Sequence, residues 1–136
     1  MLGKMKKKVI DMKTTFSTKD IINQSFRKRV GMFTGELTLK SVFLYLNTYR
    51  WALLNHGIKD IDEPDFHDFI KNKFGFFEAT AGWKNMIVAI SLGFNGNMHT
   101  WSWEMFLKRE LEMTQEEHQS SLILFFTLFD EFYDIN

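Results

Sequence analysis

The sequence predicts an all-α domain, a single compact bundle of about five to six helices, and three observations lead there. Large apolar residues recur at spacings of three and four, which a strand cannot place on one face. Helix-starting residues precede these stretches and glycines follow several of them. The chain has a single proline, no internal repeat and no strand-helix-strand pattern.

Size and composition agree. A chain of 136 residues is close to the commonest domain length and can bury roughly two-thirds of its unfolded surface, so one core is expected. Its material is aromatic, with 15 Phe, 4 Trp and 3 Tyr, and 8 Met add flexible filler. The absence of cysteine excludes disulfides, thiol catalysis and Cys-ligated zinc. No apolar run approaches the ~18–20 residues that span a bilayer, and the lysine-rich start lacks the apolar core of a signal peptide. A cytoplasmic protein without membrane contact is the expectation.

Residues 1–16 show no sustained apolar period and contain Lys6-Lys7-Lys8, which reads as a basic, flexible tail before a helical domain over 17–136. Met5, Met12 and Met32 are further possible starts, so this basic segment reads as dispensable. A first short helix begins at Ser17, with Asp20 at capping-box spacing, carries Ile21, Ile22, Phe26 and Val30, and stops at Gly31. A second starts near Thr34, places Leu39, Val42, Phe43, Leu46, Tyr49, Leu53 and Leu54 on one face and ends at Gly57. Asp62 or Glu63 caps a third, with Pro64 in its first turn, where a missing N–H costs nothing. Phe66, Phe69, Ile70 and Phe74 turn inward there, and Gly75 ends it.

Thr80 caps a fourth helix with Trp83, Met86, Ile87 and Ile90, broken at Gly93 and Asn95-Gly96-Asn97. Thr100 caps a fifth, with Trp103, Phe106, Leu107 and Leu111 inward. Thr114 and Glu117 form a T-x-x-E capping box for the last, in which Leu122, Phe125, Phe126, Phe129, Phe132 and Tyr133 repeat at helical spacing. The apolar runs Ile87–Leu92 and Leu122–Leu128 would suit buried strands by composition, but both follow helix-start signals and lack alternation.

Formal net charge is zero, yet the charges are divided along the chain. Residues 1–30 hold nine bases against Asp11 and Asp20, which is +7; residues 31–136 hold eight bases against fifteen acids, which is −7. The densest polar group is Asp60, Asp62, Glu63, Asp65, His67 and Asp68. Glu63 and His67 at i, i+4 could share a metal, though no third or fourth ligand accompanies them. The plain alternative is that the acids favour the positive end of a helix and His67 is solvated. A second acidic group comprises Glu112, Glu116, Glu117, Asp130, Glu131 and Asp134, the last three at a helix C-terminus, where acids are mildly unfavourable.

Trp101 and Trp103 cannot both point inward from one helix, so one is available for stacking or for a protein interface. The four histidines lie on separate predicted elements. G-x-S-x-G, P-loop, G-x-G-x-x-G and H-E-x-x-H motifs are absent, and Gly31-Met-Phe-Thr-Gly35 lacks the lysine and preceding strand of a phosphate loop. No enzyme activity, cofactor or metal is expected. The candidate partner-binding residues are Asp60, Asp62, Glu63, Asp65, Asp68, Glu112, Glu116, Glu117, Asp130, Glu131, Asp134 and Trp101.

The stretches Met32–Val42, MFTGELTLKSV, and Phe66–Met86, FHDFIKNKFGFFEATAGWKNM, resemble small bacterial immunity proteins encoded beside contact-dependent inhibition or polymorphic toxins. The resemblance covers about the last hundred residues and transfers no functional residue. It implies a cytoplasmic protein that binds and neutralises one cognate toxin domain, with a nuclease expected. The alternative from another class is a nucleic-acid-binding adaptor whose footprint is the basic segment Lys4–Arg29; the −7 body would repel the same phosphates.

Overall fold

The computed structural model describes residues 15–22, 26–31, 35–60, 65–76, 82–94 and 102–135. Their order is β1 (Thr15–Phe16), α1 (Thr18–Ile21), a 3-10 turn at Arg27–Arg29, α2 (Leu39–Leu54), β2 (Lys59–Asp60), α3 (Asp65–Phe74), α4 (Gly82–Ser91), α5 (Trp103–Leu111) and α6 (Gln115–Ile135). The result is an all-α bundle with five principal helices. The sole β pairing among the described residues is a two-residue parallel bridge of Thr15 with Lys59 and Phe16 with Asp60. Thr15 and Phe16, assigned by sequence to the tail, are thus tied to the segment that follows α2. Residues 1–14, Asp62, Glu63, Pro64, Thr80, the 95–97 turn and Thr100 lie outside the described residues.

The helix starts follow from local hydrogen bonding. Ser17 accepts from the Lys19 N–H at 3.1 Å. Thr38, rather than a residue near Thr34, caps α2 by accepting from Ser41 N–H at 3.1 Å. Ser41 Oγ in turn donates to the Thr38 carbonyl at 2.8 Å. Ser102 caps α5 by accepting from Met105 N–H. Thr114 and Glu117 form a complete capping box, each side chain accepting the other's N–H at 3.2 and 3.0 Å.

The ends of α2, α3 and α4 share one device. Gly57, Gly75 and Gly93 have φ of 75°, 72° and 91°, which glycine adopts without strain. The next residue then donates back across the last turn: Ile58 to Leu53, Phe76 to Lys71 and Phe94 to Ala89, at 2.9–3.0 Å. This is the Schellman arrangement, in which the residue after the glycine makes an apolar contact; Phe76 is 3% exposed and Phe94 packs against the core. Gly31 does not act as the expected stop. It is helical, its carbonyl accepts from Gly35 N–H, and Gly35 takes the positive φ.

α4 is the central helix, with Trp83, Lys84, Met86, Ile87, Val88 and Ala89 buried and α2, α3 and α6 packed around it. Phe66 of α3 is the hub of the aromatic core: Trp83, Phe125, Phe129 and Phe132 surround it at centroid distances of 5.4–6.1 Å, all edge-on. The basic N-terminal segment is part of this core. Ile22, Phe26 and Val30 are buried, and the Phe26 ring stacks on Tyr45 of α2 at 5.0 Å. From Ile22 onward it is therefore not dispensable to the fold.

Candidate functional site

α5 is held from one side only. Phe106 is fully buried, and Trp103 packs against Phe76 and Phe106. Two ion pairs complete the attachment. Glu110 Oε2 accepts from Lys84 Nζ at 2.6 Å, with side-chain exposures of only 19% and 11%, and Arg109 pairs with Glu117 of α6. Lys84 also donates to Asn85 Oδ1 at 2.9 Å. A buried lysine needs such partners, because removing an ammonium group from water costs several kcal/mol.

This attachment corrects the expected orientation of α5. Position 110, a glutamate, turns inward toward Lys84, while Leu107 and Leu111 face solvent with Met105. Of the four residues expected inward, Trp103 and Phe106 do face the core, while Leu107 and Leu111 do not: the helix is rotated so that Glu110, one turn after Phe106, meets Lys84. On α2, Leu39, Val42 and Leu46 of the expected inner face are buried, whereas Tyr49 and Leu54 are exposed.

Leu111 is 89% exposed, the extreme among large apolar side chains of the described residues. Beside it at the α5–α6 corner, Glu112 and Glu116 are exposed and form no ion pair among the described residues. Leu111 also lines a cleft of about 240 Å³ between the start of α2, the end of α5 and the start of α6. Glu36, Lys40, Glu110 and His118 bring charge or an imidazole to its wall, and Leu39, Val88 and Met113 supply apolar surface. The buried Ser121 Oγ there donates to the His118 carbonyl at 2.8 Å.

The other acids predicted as a binding surface divide in two. Glu117 is held by Thr114 and Arg109; the Thr114 backbone N–H, followed by the Arg109 guanidinium, lowers its carboxyl below the ordinary glutamate range. Asp130 accepts both terminal nitrogens of Arg27, and Glu131 pairs with Lys73. These three therefore serve contacts within the chain. Asp65, Asp68 and Asp134 are exposed without an ion pair among the described residues, whereas Asp60 belongs to β2 and Asp62, Glu63 and Trp101 lie outside the described residues.

The structure does not bring the described histidines together as a metal centre. Among the described residues no group of three or more His, Asp or Glu side chains is arranged to hold a metal ion, and no helix is long and apolar enough to cross a membrane. Trp103, one of the two candidate stacking rings, is committed to packing. The exposure of Leu107 and Leu111 was not anticipated from the sequence; its signal was Lys84, a lysine within the apolar stretch of α4 that needs an acidic partner. No family model, curated protein or solved structure matches the chain.

Proposed function

We propose that the chain is a bacterial cytoplasmic immunity protein that binds and neutralises a cognate toxin domain, a nuclease, through the α5–α6 corner. The observation that carries this reading is Leu111, a leucine almost wholly in water, flanked by the exposed carboxylates of Glu112 and Glu116. An apolar side chain of this kind supplies an anchor once desolvated, and the surrounding negative charge steers a basic partner and selects against acidic ones. The basic groove with which a nuclease holds phosphates has the complementary sign. No catalytic role is assigned to the chain.

The basic N-terminal segment supports the adaptor alternative less well. Arg27 is engaged with Asp130, and Lys19 lies over the Tyr133 ring at 5.3 Å, so part of that charge is used within the fold. The deciding experiment is co-purification with a toxin domain encoded beside this gene. A micromolar complex that blocks the toxin is expected, and Leu111→Asp with Glu112→Lys and Glu116→Lys should weaken it at least tenfold without changing helicity. Reversal of Asp65 and Asp68 provides the comparison on α3. An active toxin and no complex at micromolar concentration would refute the reading.

A further inference from the structure

The cleft between the start of α2, the end of α5 and the start of α6 has a chemistry of its own. Buried Leu39 and Val88 lie at its base, Leu111 and Met113 extend the apolar lining outward, and the exposed Glu36 and Lys40 stand at its mouth. At about 240 Å³ it is smaller than the ~300–1,000 Å³ of sites that enclose a drug-sized ligand, and its size suits one long side chain.

Glu110 is the fixed polar group of this cleft. Its Oε2 accepts from Lys84 Nζ at 2.6 Å, which holds the carboxylate in one place. The second oxygen, Oε1, forms no hydrogen bond among the described residues and remains open to water. A half-buried, oriented acceptor is thus left for a donor entering the cleft. His118 of α6 adds an imidazole, which in its neutral form accepts one further hydrogen bond.

The surrounding charge decides the sign of that donor. Glu110 and Lys84 offset each other, as do Glu117 and Arg109. What remains around the mouth is Glu36, Glu112 and Glu116 against Lys40 and Lys108, so the local field favours a cation. A guanidinium suits the place better than an ammonium group. It is less strongly hydrated, and its planar fork of donors can serve acceptors on different elements, while its alkyl stem lies along Leu111 and Met113.

We infer that the cleft receives an arginine side chain of the basic partner that Leu111 anchors. This rests on the reading of the α5–α6 corner as a partner-binding surface and names what the cleft beside it takes. Leu111 belongs to both the corner and the cleft lining, so a chain seated on the leucine has the cleft within reach of a long side chain. Lys40 opposes the guanidinium and extends its own ammonium group into water, which makes it a test of the sign.

Nα-acetyl-arginine methylamide, titrated into the full chain, should shift the 1H–15N signals of Leu39, Val88, Met113 and His118 with a Kd on the order of 1–10 mM. The matching lysine amide should bind at least threefold more weakly, and the glutamate amide should not bind. Lys40→Glu should tighten the arginine amide at least twofold, and Glu36→Lys should weaken it at least threefold. Glu110→Gln should weaken it at least fivefold; because that change also loosens Lys84, the two exposed mouth positions keep the test valid if the variant does not fold. No binding of the arginine amide at about 50 mM, equal binding of the lysine amide, tighter binding of the glutamate amide, or weaker arginine binding by Lys40→Glu would each overturn the inference. With the toxin domain encoded beside this gene, Lys40→Glu should strengthen the complex and Glu36→Lys weaken it. A complex indifferent to both would overturn this inference and leave the proposed function standing. Arginine-amide binding by a chain that forms no toxin complex would overturn the proposed function and, with it, the toxin as the source of the arginine.

Discussion

Arg27 and Asp130 are joined by two hydrogen bonds of 2.9 and 2.7 Å across 103 residues of sequence, and this fork fastens the basic start of the chain to its acidic last helix. The same guanidinium lies over Phe126 and Phe129, 5.1 and 5.9 Å from their ring centroids. With side-chain exposures of 31% and 50% the charge pair alone contributes little, so the planar stacking carries part of the effect. Arg27→Ala should cost about 1–2 kcal/mol in urea unfolding, and Arg27→Lys more than half of that, because lysine keeps the charge and loses the fork. Removal of residues 1–31 deletes buried Ile22, Phe26 and Val30 and should abolish cooperative unfolding altogether.

The Lys84–Glu110 pair behaves differently because it is buried. Glu110→Ala leaves the ammonium group of Lys84 with Asn85 alone and should cost about 2–4 kcal/mol. Lys84→Met combined with Glu110→Leu should restore most of that loss. Thermal unfolding of the two single variants and the double variant gives the coupling directly; a double variant as unstable as Glu110→Ala would show that packing, and not charge, dominates here.

Phe66 and Leu111 make an opposed pair for measuring where apolar surface matters. Phe66→Ala empties the centre of the ring cluster and should destabilise the fold by about 3–5 kcal/mol. Leu111→Ser should leave stability within about 0.5 kcal/mol, since the side chain is already in water. Partner binding should show the reverse dependence for Leu111, measurable by calorimetry with the purified toxin domain.

Glu117 provides a pH signature at the α5–α6 junction. Its carboxyl is lowered first by the Thr114 N–H and next by Arg109, so the folded state binds this proton less readily than the unfolded chain does. The resulting stabilisation is complete above the ordinary glutamate range near pH 4.3 and is lost as pH falls through the lower folded value. Glu117→Gln should therefore be less stable than the parent at pH 7, with the difference shrinking below about pH 4. Thr114→Ala should cost about 0.5–2 kcal/mol at pH 7. Denaturant midpoints from pH 3 to 7 test both.

What the sequence determined by itself is the physics that acts within one helical turn. The all-α class, the glycines at 57, 75 and 93, the Thr114–Glu117 box and the buried stripe of α6 rest on bonds between residues three to five apart, so their spacing makes them legible. Tertiary structure alone decided that Glu110, and not Leu107 or Leu111, shares the inward face of α5 with Phe106, since that depended on Lys84, 26 residues from Glu110. It also withdrew Glu117, Asp130 and Glu131 from the candidate surface by pairing them with Arg109, Arg27 and Lys73 respectively. The local pattern records which side chains share a helix face; whether a charge on that face meets water or a partner is set by residues far away in sequence, and the candidate site at Leu111 became visible only there.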